Sequence, residues 1–243
     1  MRMLTFSKRC AKEILRDPIN LAFGLGFPLV LLLLLSAMQA NIPVELFEIK
    51  RLAPGIAVFG LSFITLFSAT LISRDRESAF LQRLYTTPLR PCEFILGYML
   101  PLVPISLSQC AACYIAAFFL GLPITINVIF ALILVVPISV FYISVGLLCG
   151  SLLGVKQVGG ICGALLTNLS AWLSGVWFDL SLVGGVFETL AKILPFYHAV
   201  ELQRAVIFGS YDNILLHLLI VIGYGAVILV LATFTFLRQM KKH

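Results

Sequence analysis

Charged side chains are scarce in this sequence. Asp, Glu, Lys and Arg make up 12% of the 243 residues, hydrophobic residues make up 60%, and mean hydropathy is +1.06. A soluble domain carries about 25% charged residues, so these charges cannot cover a surface that faces water on all sides. Lipid is the remaining solvent. A second absence is the phosphate-cradling pattern G-x-x-x-x-G-K-[ST], which occurs nowhere in the chain and removes ATP hydrolysis from its own repertoire. A third is the lack of Asp, Glu, Lys or Arg in the middle of the long apolar runs, where an ion-coupled carrier normally keeps its ionisable groups. The net charge of +6 would suggest a nucleic-acid partner in a soluble protein. In a membrane protein the excess of Lys and Arg in inner loops accounts for it, and no nucleic acid is implied.

The six cysteines set no framework. Cys10 and Cys92 lie in basic flanks, and Cys110, Cys113, Cys149 and Cys162 in apolar runs. Cys110-x-x-Cys113 has metal-ligand spacing, but in a lipid-length stretch it reads as two small hydrophobes. An intramembrane enzyme would need a nucleophile or a metal set. His198, Glu201 and His217 come nearest, near the outer boundary and without a third clustered ligand, so a structural role is expected. No catalytic, cofactor or metal site is expected in the chain.

Six stretches approach the roughly 20 residues that cross a bilayer: 19–38, 54–73, 94–120, 127–153, 158–177 and 214–237. The first lacks an A-x-A cleavage site and follows a charged segment too long for a signal peptide, so it is read as a retained span. The fold class expected is an all-α polytopic membrane protein, one domain over residues 1–243. With both termini inside, Arg2, Lys8, Arg9, Lys12, Arg16, Arg74, Arg76, Arg83, Arg90, Lys156, Arg238, Lys241 and Lys242 face the cytoplasm. Only Lys50, Arg51, Lys192 and Arg204 of the 17 basic residues are then outside, the bias that fixes orientation.

Three other segments carry information. Residues 1–17 form an amphipathic helix with Met3, Leu4, Ser7, Cys10, Ala11, Ile14 and Leu15 on one arc and a basic opposite face, Phe6 being the misfit. It should lie in the inner interface with its apolar side in the acyl boundary. Residues 74–93 run from Arg74-Asp-Arg-Glu77 into Phe80, Leu81, Leu84 and Tyr85 at helical spacing, and Pro88 stops the helix. Residues 178–213 are too apolar for a free loop and too short and Gly-marked to span. Re-entrant or interfacial helices are expected there, the last from His198 to Gly209.

This order, with Phe80 to Leu89 resembling the signature F-x-E-R-L-x-T-T-P-L (Gln82 where Glu is usual), is similar to the permease subunit of type-2 ATP-binding-cassette (ABC) exporters. The similarity lies in the group of small drug- and antibiotic-efflux permeases and covers essentially the whole chain. It implies a plasma-membrane permease paired with a second permease copy or a homologous permease, with two cytoplasmic ATPase subunits that hold ATP and Mg. Arg76, Glu77, Phe80, Leu81, Arg83, Leu84, Tyr85, Thr86 and Thr87 would form the helix that couples to the ATPase, and the N-terminal helix would flank it. The second and fifth spans would line the substrate path through Phe59, Phe63, Thr65, Phe67, Asn168 and Trp172. Apolar walls with a few hydrogen-bonding groups suit hydrophobic or amphiphilic cargo such as a drug, antibiotic, peptide or lipid-like molecule. The alternative is an ion-coupled secondary carrier of a small apolar substrate. Gly146, Gly150 and Gly154, like Gly159 and Gly163, are expected to let helices pack closely.

Overall fold

The computed structural model describes residues 2–41, 45–78 and 91–240, and all regular structure among these described residues is helical. An N-terminal helix α1 (Arg2–Leu15) precedes α2 (Pro18–Asn41). Next come a 3-10 turn (Glu45–Phe47), α3 (Ile49–Glu77), α4 (Pro91–Phe119) and α5 (Asn127–Leu152). The helices α2 to α5, with the last helix α11 (Ile214–Met240), are long and apolar enough to cross a membrane.

The stretch expected to cross at 158–177 is built differently. It is helical without a break from Val155 to Leu173, but in three parts: α6 (Val155–Val158), a π segment (Gly159–Leu166) and α7 (Thr167–Leu173). Glycines at 159, 160 and 163 ease the widened backbone. The Thr167 hydroxyl donates to the Cys162 carbonyl five residues back, at 3.1 Å. At 1.5 Å per residue the composite helix rises about 28 Å, close to the roughly 30 Å of a hydrocarbon core.

The helix α3 is the axis of the bundle. It is buried along most of its length and touches α2, α4, α5, the π segment and the outer helix α10 (Pro195–Phe208). Small residues make this possible. A side chain at Gly146 would strike the Thr65 carbonyl and Ser68, and one at Gly150 would strike the backbone of Ala69. The two backbones therefore lie in direct contact, as membrane helices with small interfacial residues do. Two hydroxyls of α3 then bond carbonyls of α5: Thr65 to Tyr142 at 2.9 Å and Ser68 to Ile143 at 3.0 Å. Gly159, by contrast, packs against nothing within 4 Å among the described residues. The last helix, α11, leans on the far side of α5, where Gly225 meets Phe141.

Between α7 and α11 the chain makes three short helices: α8 (Leu180–Val183), α9 (Gly185–Ile193) and α10. None is long enough to span. Asp179 caps α8 by accepting from the Ser181 amide, and Gly209 ends α10 in the left-handed conformation (φ 74°). The inner face of α10 enters the bundle through Gln203. Its carbonyl oxygen accepts from Tyr114 at 2.8 Å and its amide donates to the Ala131 carbonyl at 2.9 Å.

Direct backbone contact leaves no room for extra volume. Gly146→Val or Gly150→Val is expected to destabilise the bundle by about 1–3 kcal/mol or more, read as a lower midpoint of thermal unfolding in detergent. Gly26→Ala, with nothing within 4 Å among the described residues, is expected to leave the midpoint unchanged or raise it.

Candidate functional site

Consecutive residues on a helix point about 100° apart, so the run Arg74-Asp75-Arg76-Glu77 reaches around the whole end of α3. Each residue finds a different partner. Asp75, 1% exposed, accepts two bonds from the Arg9 guanidinium of α1 at 2.5 and 2.6 Å and one from the Tyr98 hydroxyl of α4 at 2.9 Å. Arg74 pairs at 3.3 Å with Asp17, which also accepts from Asn20 at the start of α2. Arg76 donates to the Ser151 and Leu153 carbonyls, left without partners where α5 ends. Glu77 accepts from the Val155 amide at 2.8 Å, at the first turn of α6. Four charges thus tie the end of α3 to α1, α2, α4, α5 and α6.

These contacts shift the titrating groups of α1. Burial alone would lower the Arg9 pKa, but the hydrogen bonds and charge of Asp75 outweigh it and hold the guanidinium ionised. Burial, aided by the Asp75 charge, pushes the Cys10 thiol up to about 12. Burial and the same carboxylate raise Glu13, against the pull of Arg9 at 2.8 Å.

Docking of α1 corrects the expected arc. Phe6, the misfit of the single-faced reading, is buried: it seats on Gly97 and meets Phe94 and Tyr98 edge-on at 5.9 and 4.9 Å. Cys10 and Ile14 are buried beside it, whereas Leu4 and Leu15 are exposed. The helix has a protein face as well as an apolar edge, and a pattern read for lipid alone misassigns Phe6, which belongs to the protein face.

Higher on α3, an aromatic groove of about 510 Å³ opens between α2, α3 and the composite helix. Phe59 and Phe63, one turn apart, line it with Asn168 and Trp172, so four of the six expected substrate-path residues come together. Thr65 and Phe67 do not join them. Thr65 points to the far side of α3 and is bonded to the Tyr142 carbonyl, and Phe67, one turn beyond Phe63 toward the charged end, lies under Gly24. Sequence reasoning missed Phe23 and Phe27 of α2, Thr167 and Trp177. The four-residue spacing of Phe23 and Phe27 was the available signal. Phe27, Phe59, Phe63 and Trp177 make successive edge-on contacts at 5.6 to 5.9 Å, a preorganised apolar wall. Asn168 donates to the Ala164 carbonyl at 2.8 Å.

Of the expected ATPase-coupling residues, Arg76 and Glu77 belong to the knot just described. Phe80, Leu81, Arg83, Leu84, Tyr85, Thr86 and Thr87 lie outside the described residues.

At the opposite end, Glu201 pairs with Arg204 at 2.9 Å, and Arg204 also donates to the Arg51 and Gly175 carbonyls. His198 Nε2 lies 2.8 Å from the Lys192 carbonyl and must carry a hydrogen, so its Nδ1 accepts from Nδ1 of His217 at 2.7 Å. Among the described residues no three His, Cys, Asp or Glu side chains gather as a metal site.

Two outcomes test this geometry. Arg9→Met strands the Asp75 carboxylate and is expected to cost about 3 kcal/mol, the low end for a broken buried pair because Arg9 is one-third exposed. The double variant Arg9→Met with Asp75→Asn should recover much of that loss in thermal unfolding. Burial lowers the His198 pKa below its ordinary 6.5. The unfolded chain therefore takes up more protons between that lowered value and 6.5, so stability is complete above 6.5 and falls as pH drops through the window. A proton on Nδ1 would face the Nδ1–H of His217, with Tyr197 and Glu201 alongside. Hydrogen-exchange protection across 195–217, taken relative to the intrinsic rate at each pH, should therefore fall from pH 7.5 to pH 5, and His198→Asn should flatten the dependence.

The sequence pattern of the ABC-2 type transporter family matches residues 1–208. Two ycf38 proteins, which carry the name of transport permeases, are also similar. The one from Porphyra purpurea is 35% identical over 150 residues, 58% of this chain and 52% of that protein. The one from Pyropia yezoensis is 33% identical over 119 residues, 46% of this chain and 41% of that protein. The chain spans about half the length of these curated relatives or less. A helical membrane bundle, a charged knot at one end of its axis and a family match over most of its length agree: this chain belongs to the ABC-2 type transporter family.

Proposed function

We propose that this chain is the membrane subunit of an ABC exporter, moving a hydrophobic or amphiphilic molecule out of the cell with ATP hydrolysed by a separate ATPase subunit. The observation that carries the reading is the four-charge knot at the end of α3. It gathers α1, α2, α4, α5 and α6 onto one helix immediately before Phe80 to Leu89, the stretch whose sequence resembles the family's coupling signature. A push delivered there would be shared by every helix tied to the knot.

The same axis carries Phe59 and Phe63. From Phe63 to Asp75 the helix rises about 18 Å, so movement at the coupling end reaches the aromatic groove through a single rigid rod. The groove has apolar walls and a few hydrogen-bonding groups, which suits drug-like, antibiotic, peptide or lipid-like cargo. A second copy of the chain, or a homologous permease, would face it to complete the path. ATP and Mg would reside in the partner. In this reading the termini are cytoplasmic and the host membrane is the plasma membrane.

Co-expression with the cognate ATPase and purification through a tag on the permease tests the proposal. Wild type is expected to retain an active ATPase. A variant with Phe80, Leu81 and Leu84 changed to Ser should lose it while still inserting. Trp172→Ala should keep the ATPase but reduce its stimulation by apolar substrates. If no ATPase co-purifies with wild type, the proposal fails and flux driven by an ion gradient becomes the test to run.

A further inference from the structure

The helix α1 has three faces rather than two. Phe6, Cys10 and Ile14 are buried against the bundle. At 100° per residue, Leu4 and Leu15 follow on the next edge, 51% and 64% exposed, and apolar exposure continues along the chain through Ile19 and Phe23 of α2. Lys8, Lys12 and Arg16 come next, spaced by four residues, all exposed and forming one ribbon about 12 Å long. They border an open cleft of about 780 Å³ between α1 and Arg74. Its two carboxylates are already engaged, Glu13 by Arg9 and Asp17 by Arg74. Among the described residues no carboxylate pairs with Lys8, Lys12 or Arg16.

We propose that this ribbon is a binding site for the headgroups of anionic phospholipids, with their acyl chains against Leu4, Leu15 and Ile19. Charge complementarity selects a phosphodiester, and the apolar edge selects its source. Leu15 and Leu4 lie beside Lys8 around the helix, so seating that edge in hydrocarbon holds the cations at headgroup depth. An acidic protein surface approaching from water would leave the apolar edge uncovered. The site rests on the chain's place in a bilayer and not on the exporter reading. Because Arg9 of the same helix grips Asp75, lipid bound here braces the knot from the membrane side.

The test is native mass spectrometry of the full chain in detergent, offered equal amounts of dioleoyl phosphatidylglycerol and dioleoyl phosphatidylcholine. Wild type is expected to prefer the anionic lipid by at least about tenfold, since each basic residue at an anionic surface contributes roughly a fivefold gain. Lys8→Gln/Lys12→Gln/Arg16→Gln should abolish the preference, and Lys50→Gln/Lys156→Gln/Lys192→Gln should keep it. The preference of wild type, which needs no folded variant, should shrink as ammonium acetate rises from about 0.2 M to about 1 M, because exposed charges are screened. Three results overturn the proposal: a preference retained by the first variant, a preference erased by inorganic phosphate as a free-anion competitor at constant ionic strength, or a variant that keeps its lipid preference but loses a co-purifying ATPase, which would make the ribbon a protein-docking face.

Discussion

Asp75 is a carboxylate with almost no access to solvent, placed at the end of the helix on which most of the bundle packs. Removing a charge from water costs several kcal/mol, and only well-aligned partners return it. Arg9 supplies two of them and Tyr98 the third. The requirement runs in both directions. Asp75 needs α1 docked, and α1, about 21 Å long at 1.5 Å per residue, is too short to be a stable helix in isolation. The neighbouring charges extend the same logic. Arg76 satisfies carbonyls that the end of α5 leaves open, and Glu77 satisfies an amide that the start of α6 leaves open. One turn of α3 therefore fixes the relative positions of four other helices, with most of the bonding placed where water is partly excluded.

The groove sits on the same axis but under a different constraint. Its walls on α2 and α3 are held by edge-on aromatic contacts. Its third wall is the composite helix, whose π segment directly precedes Thr167, Asn168 and Trp172. Widened π turns are less favourable than α turns and recur at functional sites. Among the described residues nothing lies within 4 Å of a side chain placed at Gly159 or Gly160, so against these residues this wall has room to repack that α3, in backbone contact with α5, does not. A rigid axis beside a yielding wall is an arrangement in which a push at one end can reshape the cavity at the other.

Much of this was legible in the residues. The apolar runs and the lack of central charge lead directly to a helical membrane protein. The importance of Arg74–Glu77 was legible as a charged run beside a span, yet its partners were not, because Arg9 and Asp75 lie 66 residues apart and no periodicity links them. The reading of α1 failed at Phe6 for a related reason: a helix pattern records that a face is apolar, not whether lipid or protein covers it. Thr65 and Phe67 were grouped with Phe59 and Phe63 by span, although helical rotation turns Thr65 to the opposite side and Phe67, one turn further along the same face, is covered at Gly24. The π segment left only three glycines as its trace, and glycines in membrane helices more often signal close packing, as Gly146 and Gly150 do here.

The central claim is that α1 and the end of α3 move as one body while the groove changes shape. Pulsed electron-electron distance measurements test it most directly, using spin labels at Lys12 and Lys156 for the knot and at Phe23 and Trp172 for the groove, in the permease–ATPase complex with and without a non-hydrolysable ATP analogue. The account expects the first distance to stay constant and the second to shift when nucleotide binds. A Lys12–Lys156 distance that changes with nucleotide, with the groove distance fixed, would contradict it.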